Sequence, residues 1–328
     1  MGQDRDHPTV RLALLGGGAH GLGALARAVA GLRGWSIAAI ADPGEAARIA
    51  AARTVPGARL FASTAELLEA THAIDLAIVA TPPQATVEVA LTALASGTRV
   101  LIEKPGARAS HELDLLAGAG SLAGCAYNYR FHPAIQQLRA MLAGGHLRRL
   151  EMEFIAPLAA AGTWRASHAA GGGALRDLGT HLLDLATWLT GRSLALESAA
   201  INSRHTEHDQ AHLRLRAGET EIDLHCAYHG SPTFSLRAHT GTATILTELW
   251  GLAAPVRLSP SHGMGDSVRL WTSRLASKLP GMRPAQALRV SQTRMLVAAV
   301  AGAEGLATVT QAAAILGWVE QAEATAGF

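Results

Sequence analysis

The sequence predicts an α/β protein in which a doubly wound parallel sheet is followed by an α+β domain built on a large, mostly antiparallel open sheet. Three observations predict it. Apolar strand-like runs alternate with helical spacings over about the first 120 residues, the pattern of a parallel sheet covered by helices. The first of those strands runs into a Gly-x-Gly-x-x-Gly turn that opens a helix. Past about residue 122 the apolar period changes to two, as in His212-Leu213-Arg214-Leu215-Arg216 and Glu221 to Cys226, which reads as half-buried antiparallel strands. With 328 residues the chain exceeds what one core usually supports, so the expected domains are 1–121 and 122–328.

Val10 to Leu15 is the first strand, and Gly16, Gly18 and Gly21 form the turn, with Ala19 and His20 inside it. Glycines there let the backbone approach a pyrophosphate at a helix N-terminus, where unpaired N–H groups and the dipole favour negative charge. Leu22 to Leu32 has helical spacing, and Trp35 to Ala41 is the second strand, ending in Asp42. An acid at that position accepts hydrogen bonds from a ribose, and Asp42 followed by Pro43 rather than Arg favours NAD over NADP. Ser63-Thr64-Ala65-Glu66 is a capping box opening a short helix. Asp75 to Ala80 is a buried strand ending in Thr81-Pro82-Pro83, whose prolines start a helix over about 84–96. Val100-Leu101-Ile102 then leads into Glu103-Lys104-Pro105.

Lys104 is one of only two lysines in the chain, against 26 arginines. Arginine bias on that scale singles out a compact, deprotonatable ammonium at a strand's carboxyl end as an active-site group.

In the second half, Gly171-Gly172-Gly173 precedes a helix expected to run through Leu189 and stop at Gly191. Asp177, His181 and Asp184 fall on one face of it, with Trp188 on the same stripe. A histidine beside a carboxylate can cycle a proton near neutral pH; a core histidine satisfied by Asp177 or Asp184 is the other reading. The donor pattern supplies no convincing metal ligand set, so no metal is expected. Two cysteines, Cys125 and Cys226, give neither a disulfide framework nor a zinc site, which suits a reducing cytoplasm. A net charge of +2 points away from nucleic acid. The first strand begins about nine residues from Met1, too near for a signal peptide, and no apolar run suits a membrane span.

Together the Gly16 to Gly21 turn, Asp42, Thr81-Pro82, Glu103-Lys104-Pro105, Asn128-Tyr129-Arg130-Phe131-His132-Pro133, Trp164-Arg165 and the Gly171 to Asp184 segment resemble the Gfo/Idh/MocA oxidoreductase family. The resemblance implies an N-terminal Rossmann domain and an NAD(P)-dependent enzyme acting on a secondary alcohol or ketone of a sugar, cyclitol or related polyol. It implies that Lys104 contacts the reacting oxygen, that His181 moves the hydroxyl proton, and that Asp177 binds a substrate hydroxyl and positions His181. It assigns Gly16, Gly18, Ala19, His20, Gly21, Asp42, Thr81, Pro82, Glu103 and Lys104 to the cofactor, and Tyr129, Arg130, Trp164 and Arg165, with Asp177 and His181, to the substrate. Ala24 and Thr86 depart from the family pattern, which has histidine at both places. The resemblance also admits glycoside cleavage with NAD retained, and a silent NAD-binding sensor remains a third reading. A homo-oligomer packed on the face carrying Arg214, Arg216, Glu221, Asp223 and His225 would have a polar interface.

Residues 251–303 carry seven basic side chains, Arg257, Arg269, Arg274, Lys278, Arg283, Arg289 and Arg294, against Asp266 alone. That local excess reads as a surface meeting an anionic part of the substrate together with Arg165, as a solvated face, or as a membrane-surface helix striped by Val268, Trp271, Leu275 and Leu279.

Overall fold

The protein is seen in a computed structural model that describes residues 10–18, 20–71, 73–250, 254–259, 264–276 and 284–328. Ala19, assigned to the cofactor turn, and Lys278, Leu279 and Arg283 of the basic segment lie outside the described residues. Two compact units are formed, one from Met1–Ala126 with Gln292–Ala312 and one from Tyr127–Ser291 with Ala313–Phe328.

The first unit alternates β1 (Val10–Leu15), α1 (Ala26–Ala30), β2 (Trp35–Ala41), α2 (Glu45–Thr54), β3 (Arg59–Phe61), α3 (Thr64–Ala70), β4 (Leu76–Val79), α4 (Pro83–Ala95), β5 (Val100–Ile102), α5 (Ser110–Asp114) and β6 (Ala123–Cys125). The strands lie parallel in the order β6-β5-β4-β1-β2-β3, and Ala307–Thr308 adds a short antiparallel edge to β6. Leu12 to Leu15 and Leu76 to Val79 have no exposed surface, as central strands covered on both faces require. The Ser63 cap forms, with the Glu66 N–H donating to the Ser63 hydroxyl, while the Glu66 carboxylate accepts from the Ala62 N–H, one residue before the N-cap of the expected box, both at 3.2 Å. The helix after the glycine turn is shorter than its spacing predicts. Gly21–Leu25 is a π-helical turn, and α1 ends at Ala30, where Gly31 donates back to the Ala28 carbonyl.

The second unit holds α6 (Pro133–Leu142), β7 (Leu147–Ile155), α7 (Thr180–Thr190), β8 (Ala195–Asn202), β9 (Gln210–Ala217), β10 (Thr220–Ala227), β11 (Thr233–Thr240), β12 (Thr244–Glu248), β13 (Val256–Leu258) and α8 (Met264–Ala276); α9 (Pro284–Ala301) and α10 (Val309–Thr325) follow. Its sheet runs β13-β12-β11-β7-β10-β9-β8, antiparallel except between β7 and β10. The register sorts the two faces. Phe154 lies opposite Phe234 and Cys226, all buried, on the face that meets α7. One residue out of phase, Glu151, Glu153, Asp223, His225, Arg237 and His239 form a charged outer ladder, with Arg149 bridging Glu151 at 3.1 Å and Asp223 at 3.6 Å.

Among the described residues no helix is long and apolar enough to cross a membrane.

Candidate active site

In the first unit the carboxyl ends of β1, β2, β4 and β5 carry the predicted cofactor residues. Gly16 has φ +105°, and a Cβ on it would stand 2.6 Å from the Ala80 carbonyl oxygen, so only glycine fits where the turn crosses the end of β4. A Cβ on Gly18 would meet nothing within 4 Å. The turn therefore leaves open space at Gly18, the close approach a pyrophosphate needs. Asp42 accepts from the Gly17 N–H at 2.7 Å and from the Gly44 N–H at 2.8 Å, one on each oxygen. Each oxygen keeps acceptor capacity for a ribose hydroxyl. Sequence reading missed Arg48, which donates to the Asp42 and Pro43 carbonyls at 2.7 and 2.8 Å.

Two contacts join separate motifs of this unit. His20 Nε2 lies 3.2 Å from Glu103 Oε1, tying the glycine turn to the Glu-Lys-Pro turn that holds half-buried Lys104. The Thr81 and Thr86 hydroxyls are 3.1 Å apart, and Thr86 also donates to the Pro82 carbonyl. Thr86, 2% exposed, thus closes the first turn of α4.

In the second unit the glycine-led helix starts with a π-helical turn, Leu175–Gly179, before α7 begins. Such turns recur at functional sites because they re-aim side chains. Asp177, 5% exposed, accepts on Oδ2 from Arg165 Nε at 3.0 Å and from the Tyr228 hydroxyl at 2.9 Å. Arg165 stays 37% exposed on its side chain and stacks 4.8 Å from the Trp164 ring. His181 is 7% exposed and meets the Tyr129 ring edge-on at 4.8 Å and the Tyr127 ring at 6.1 Å. Burial, with the Asp177 charge adding to it, pushes the Tyr129 and Tyr228 hydroxyls well above the usual phenol range, so both stay protonated.

The polar stripe expected on one helix face divides. Asp184 belongs with Arg130, which forks onto it from Nε at 2.9 Å and Nη2 at 2.6 Å; the side chains are 1% and 2% exposed. Arg130 also lies 4.9 Å from the centre of the Trp188 ring. The resemblance put Arg130 on the substrate side; in the structure its guanidinium is buried and bonded from Nε and Nη2 to the Asp184 carboxylate, the setting of an interior ion pair. Tyr129, 8% exposed, supports the His181 ring by packing.

Basic residues 269 and 274 do not join Arg165. Their helix, α8, packs through Leu270 on Leu246, Val256 and Leu258, and Arg274 lines a hollow with Arg237 and His239 on the outer face of the sheet. Arg165 bonds Asp177 on the opposite, α7 side. Arg274 is instead 3.2 Å from Glu248, and Arg269 4.0 Å from Asp266.

Tyr228, which holds Asp177, is a second residue that sequence reading missed. Its signal was rarity: the chain has three tyrosines, Tyr127, Tyr129 and Tyr228, and each touches His181 or Asp177.

Comparisons with known proteins agree with this fold. Residues 10–127 match the oxidoreductase family with an NAD-binding Rossmann fold, and residues 134–243 match the GFO/IDH/MocA C-terminal domain. The rhizopine catabolism protein MocA of Rhizobium meliloti is 31% identical over 56% of this chain and 57% of its own length. Inositol 2-dehydrogenase of Leifsonia xyli is 39% identical over 30% of this chain and 28% of its own. The alignments thus span less than two thirds of those relatives. The WlbA dehydrogenase of Bordetella pertussis, solved with NADH and UDP-GlcNAcA, shares the fold with a TM-score of 0.77 at 17% identity, over 97% of this chain and 96% of that one.

Proposed function

Because the chain belongs to the Gfo/Idh/MocA oxidoreductase family, we propose that it is an NAD(H)-dependent oxidoreductase moving a hydride between the nicotinamide and a secondary carbinol or ketone of a sugar, cyclitol or sugar derivative. The observation that carries the reading is the buried Asp177 carboxylate, held by Arg165 and Tyr228 one helical turn before His181. Inositol 2-dehydrogenase and the sugar-nucleotide complex of WlbA support the substrate class.

Bound NAD supplies the hydride acceptor at its nicotinamide C4. The chain's own residues manage position and protons. Gly16, Gly18 and Gly21 hold the pyrophosphate, Asp42 the adenosine ribose, and Glu103 sets the turn that presents Lys104. In the oxidative direction His181 would take the proton of the substrate hydroxyl, and the Lys104 ammonium would steady the developing carbonyl oxygen. Asp177 receives a neighbouring hydroxyl. The Asp42 carboxylate at the end of β2, followed by Pro43, repels a 2′-phosphate, which supports NAD over NADP. Arg165, anchored yet over a third exposed, suits a substrate with an anionic portion such as a carboxylate or phosphate.

The test is a spectrophotometric screen of sugars, inositols, sugar acids and nucleotide sugars with NAD and NADP. Lys104→Ala and His181→Ala should each lower kcat by roughly two to four decades while NADH affinity stays within a few fold. A His181→Ala enzyme with normal kcat across pH would sink the proton-transfer assignment.

A further inference from the structure

Away from the site residues, the second unit gathers His168, His208 and Glu323, with one donor atom from each lying within 4.8 Å of the others. His208 is 8% exposed and Glu323 7%. Both Nδ1 atoms, of His168 and of His208, are buried without a hydrogen-bond partner among the described residues. A buried imidazole nitrogen left so forfeits its hydration with no return. The rings lie 4.1 Å apart, tilted by 39°, so both nitrogens can turn toward one point. We propose that His168, His208 and Glu323 form a binding site for a zinc-class divalent cation.

The chemistry of the donors favours that class. Two imidazoles and one carboxylate are the borderline N and O ligands zinc accepts, with bonds of about 2.0–2.2 Å and the fourth position left to water. Arg176 forks onto Glu323 at 2.7 and 2.6 Å, using one acceptor position on each oxygen and leaving a second on each. The Glu207 carboxylate, which accepts the backbone N–H of His168 at 2.5 Å, adds a negative charge beside the cluster. Glu323 lies on α10, whereas His168 and His208 flank the glycine loop, in which Gly173 donates to the Arg165 carbonyl and accepts from the Asp177 N–H, both at 3.0 Å. A bound cation would therefore pin the C-terminal helix to the loop that carries Arg165 and Asp177.

The experiment is competition titration of chelator-treated full-length protein with Zn²⁺ against a chromophoric chelator, alongside thermal unfolding with and without Zn²⁺. The variants are His208→Asn, chosen because asparagine tolerates the φ of +51° at that residue, His168→Gln, and His205→Gln as a control on the separate His205–His229 ring pair. One zinc should bind per chain, at least roughly tenfold more weakly in each of the first two variants and unchanged in the control. Zinc should raise the unfolding midpoint of the unmodified protein and of the control only. Should His208→Asn fail to fold, His168→Gln alone decides. Absence of binding, binding untouched by both variants, or binding lost in the control would overturn the site.

Discussion

One helical segment carries two arginine–aspartate pairs, and they have opposite characters. Asp184 with Arg130 is sealed, 1% and 2% exposed, and forked. Asp177 with Arg165 keeps the arginine 37% exposed, joins through Nε, and adds a tyrosine hydroxyl. The same two residue types thus serve as an interior strut in one place and as a poised substrate contact in the other. Exposure separates them, because a fully dry ion pair has no lone pair or N–H to offer a ligand, whereas a half-wet one keeps both.

The largest expected effect falls on the sealed pair. Arg130→Leu leaves a buried carboxylate without its cation and should destabilise the protein by about 3–5 kcal/mol in urea unfolding. Arg165→Leu should cost less, about 1–3 kcal/mol, because the buried Asp177 keeps the Tyr228 hydroxyl as a donor, yet should raise KM. Arg130→Met combined with Asp184→Leu should recover most of the lost stability, while no apolar double replacement at Arg165 and Asp177 should recover turnover. Equal stability losses at both arginines would erase the distinction.

Next in size is a pH effect confined to the sealed end. His132, two residues from Arg130 and 4% exposed, accepts the Ala134 N–H at the start of α6, and burial holds its pKa down to about 4. The unfolded chain binds that proton near 6.5, so the histidine's contribution is present above pH 6.5 and is lost as pH falls toward 4, by up to about 3 kcal/mol. Burial pushes Asp184 up to about 6 against the opposing Arg130 charge, which acts in the reverse sense: its contribution grows as pH falls through that window. The whole-protein slope should therefore be shallow. The difference between the native chain and His132→Asn, which keeps an N-cap acceptor, should show the histidine alone. Parallel stability curves for the two proteins between pH 7 and 4 would count against a buried, neutral His132.

The first unit was legible in detail because its signals are local. Val10–Leu15, Trp35–Ala41 and Val100–Ile102 are apolar runs with the bounds observed, and the Gly16 turn, the Ser63 cap and the Asp42 strand end each declare themselves within a few residues. Asp177, His181 and Lys104 stood out by spacing and rarity. What escaped was pairing at long range. Arg130 meets Asp184 across 54 positions and Tyr228 meets Asp177 across 51, and neither choice is written in the neighbourhood of either residue. The basic run was visible as charge, but which sheet face α8 covers depends on the β11–β12–β13 register, which no local pattern fixes.

The smallest effect is the sharpest test of the poised pair. Tyr228 is 2% exposed and donates to the Asp177 oxygen that also accepts from Arg165. Tyr228→Phe removes that hydroxyl without changing ring volume, and Arg165 remains to hold the carboxylate, so stability should change by no more than about 1.5 kcal/mol. Asp177 would then lose one of the bonds that orient its carboxylate. Slight misplacement of a group that orients substrate acts in the transition state more than in the ground state, so kcat should fall about tenfold with KM within a few fold. Arg165→Leu should divide the other way, with KM rising more than kcat falls, because its exposed edge meets substrate directly. A Tyr228→Phe enzyme with unchanged kcat would reduce the tyrosine to a packing residue.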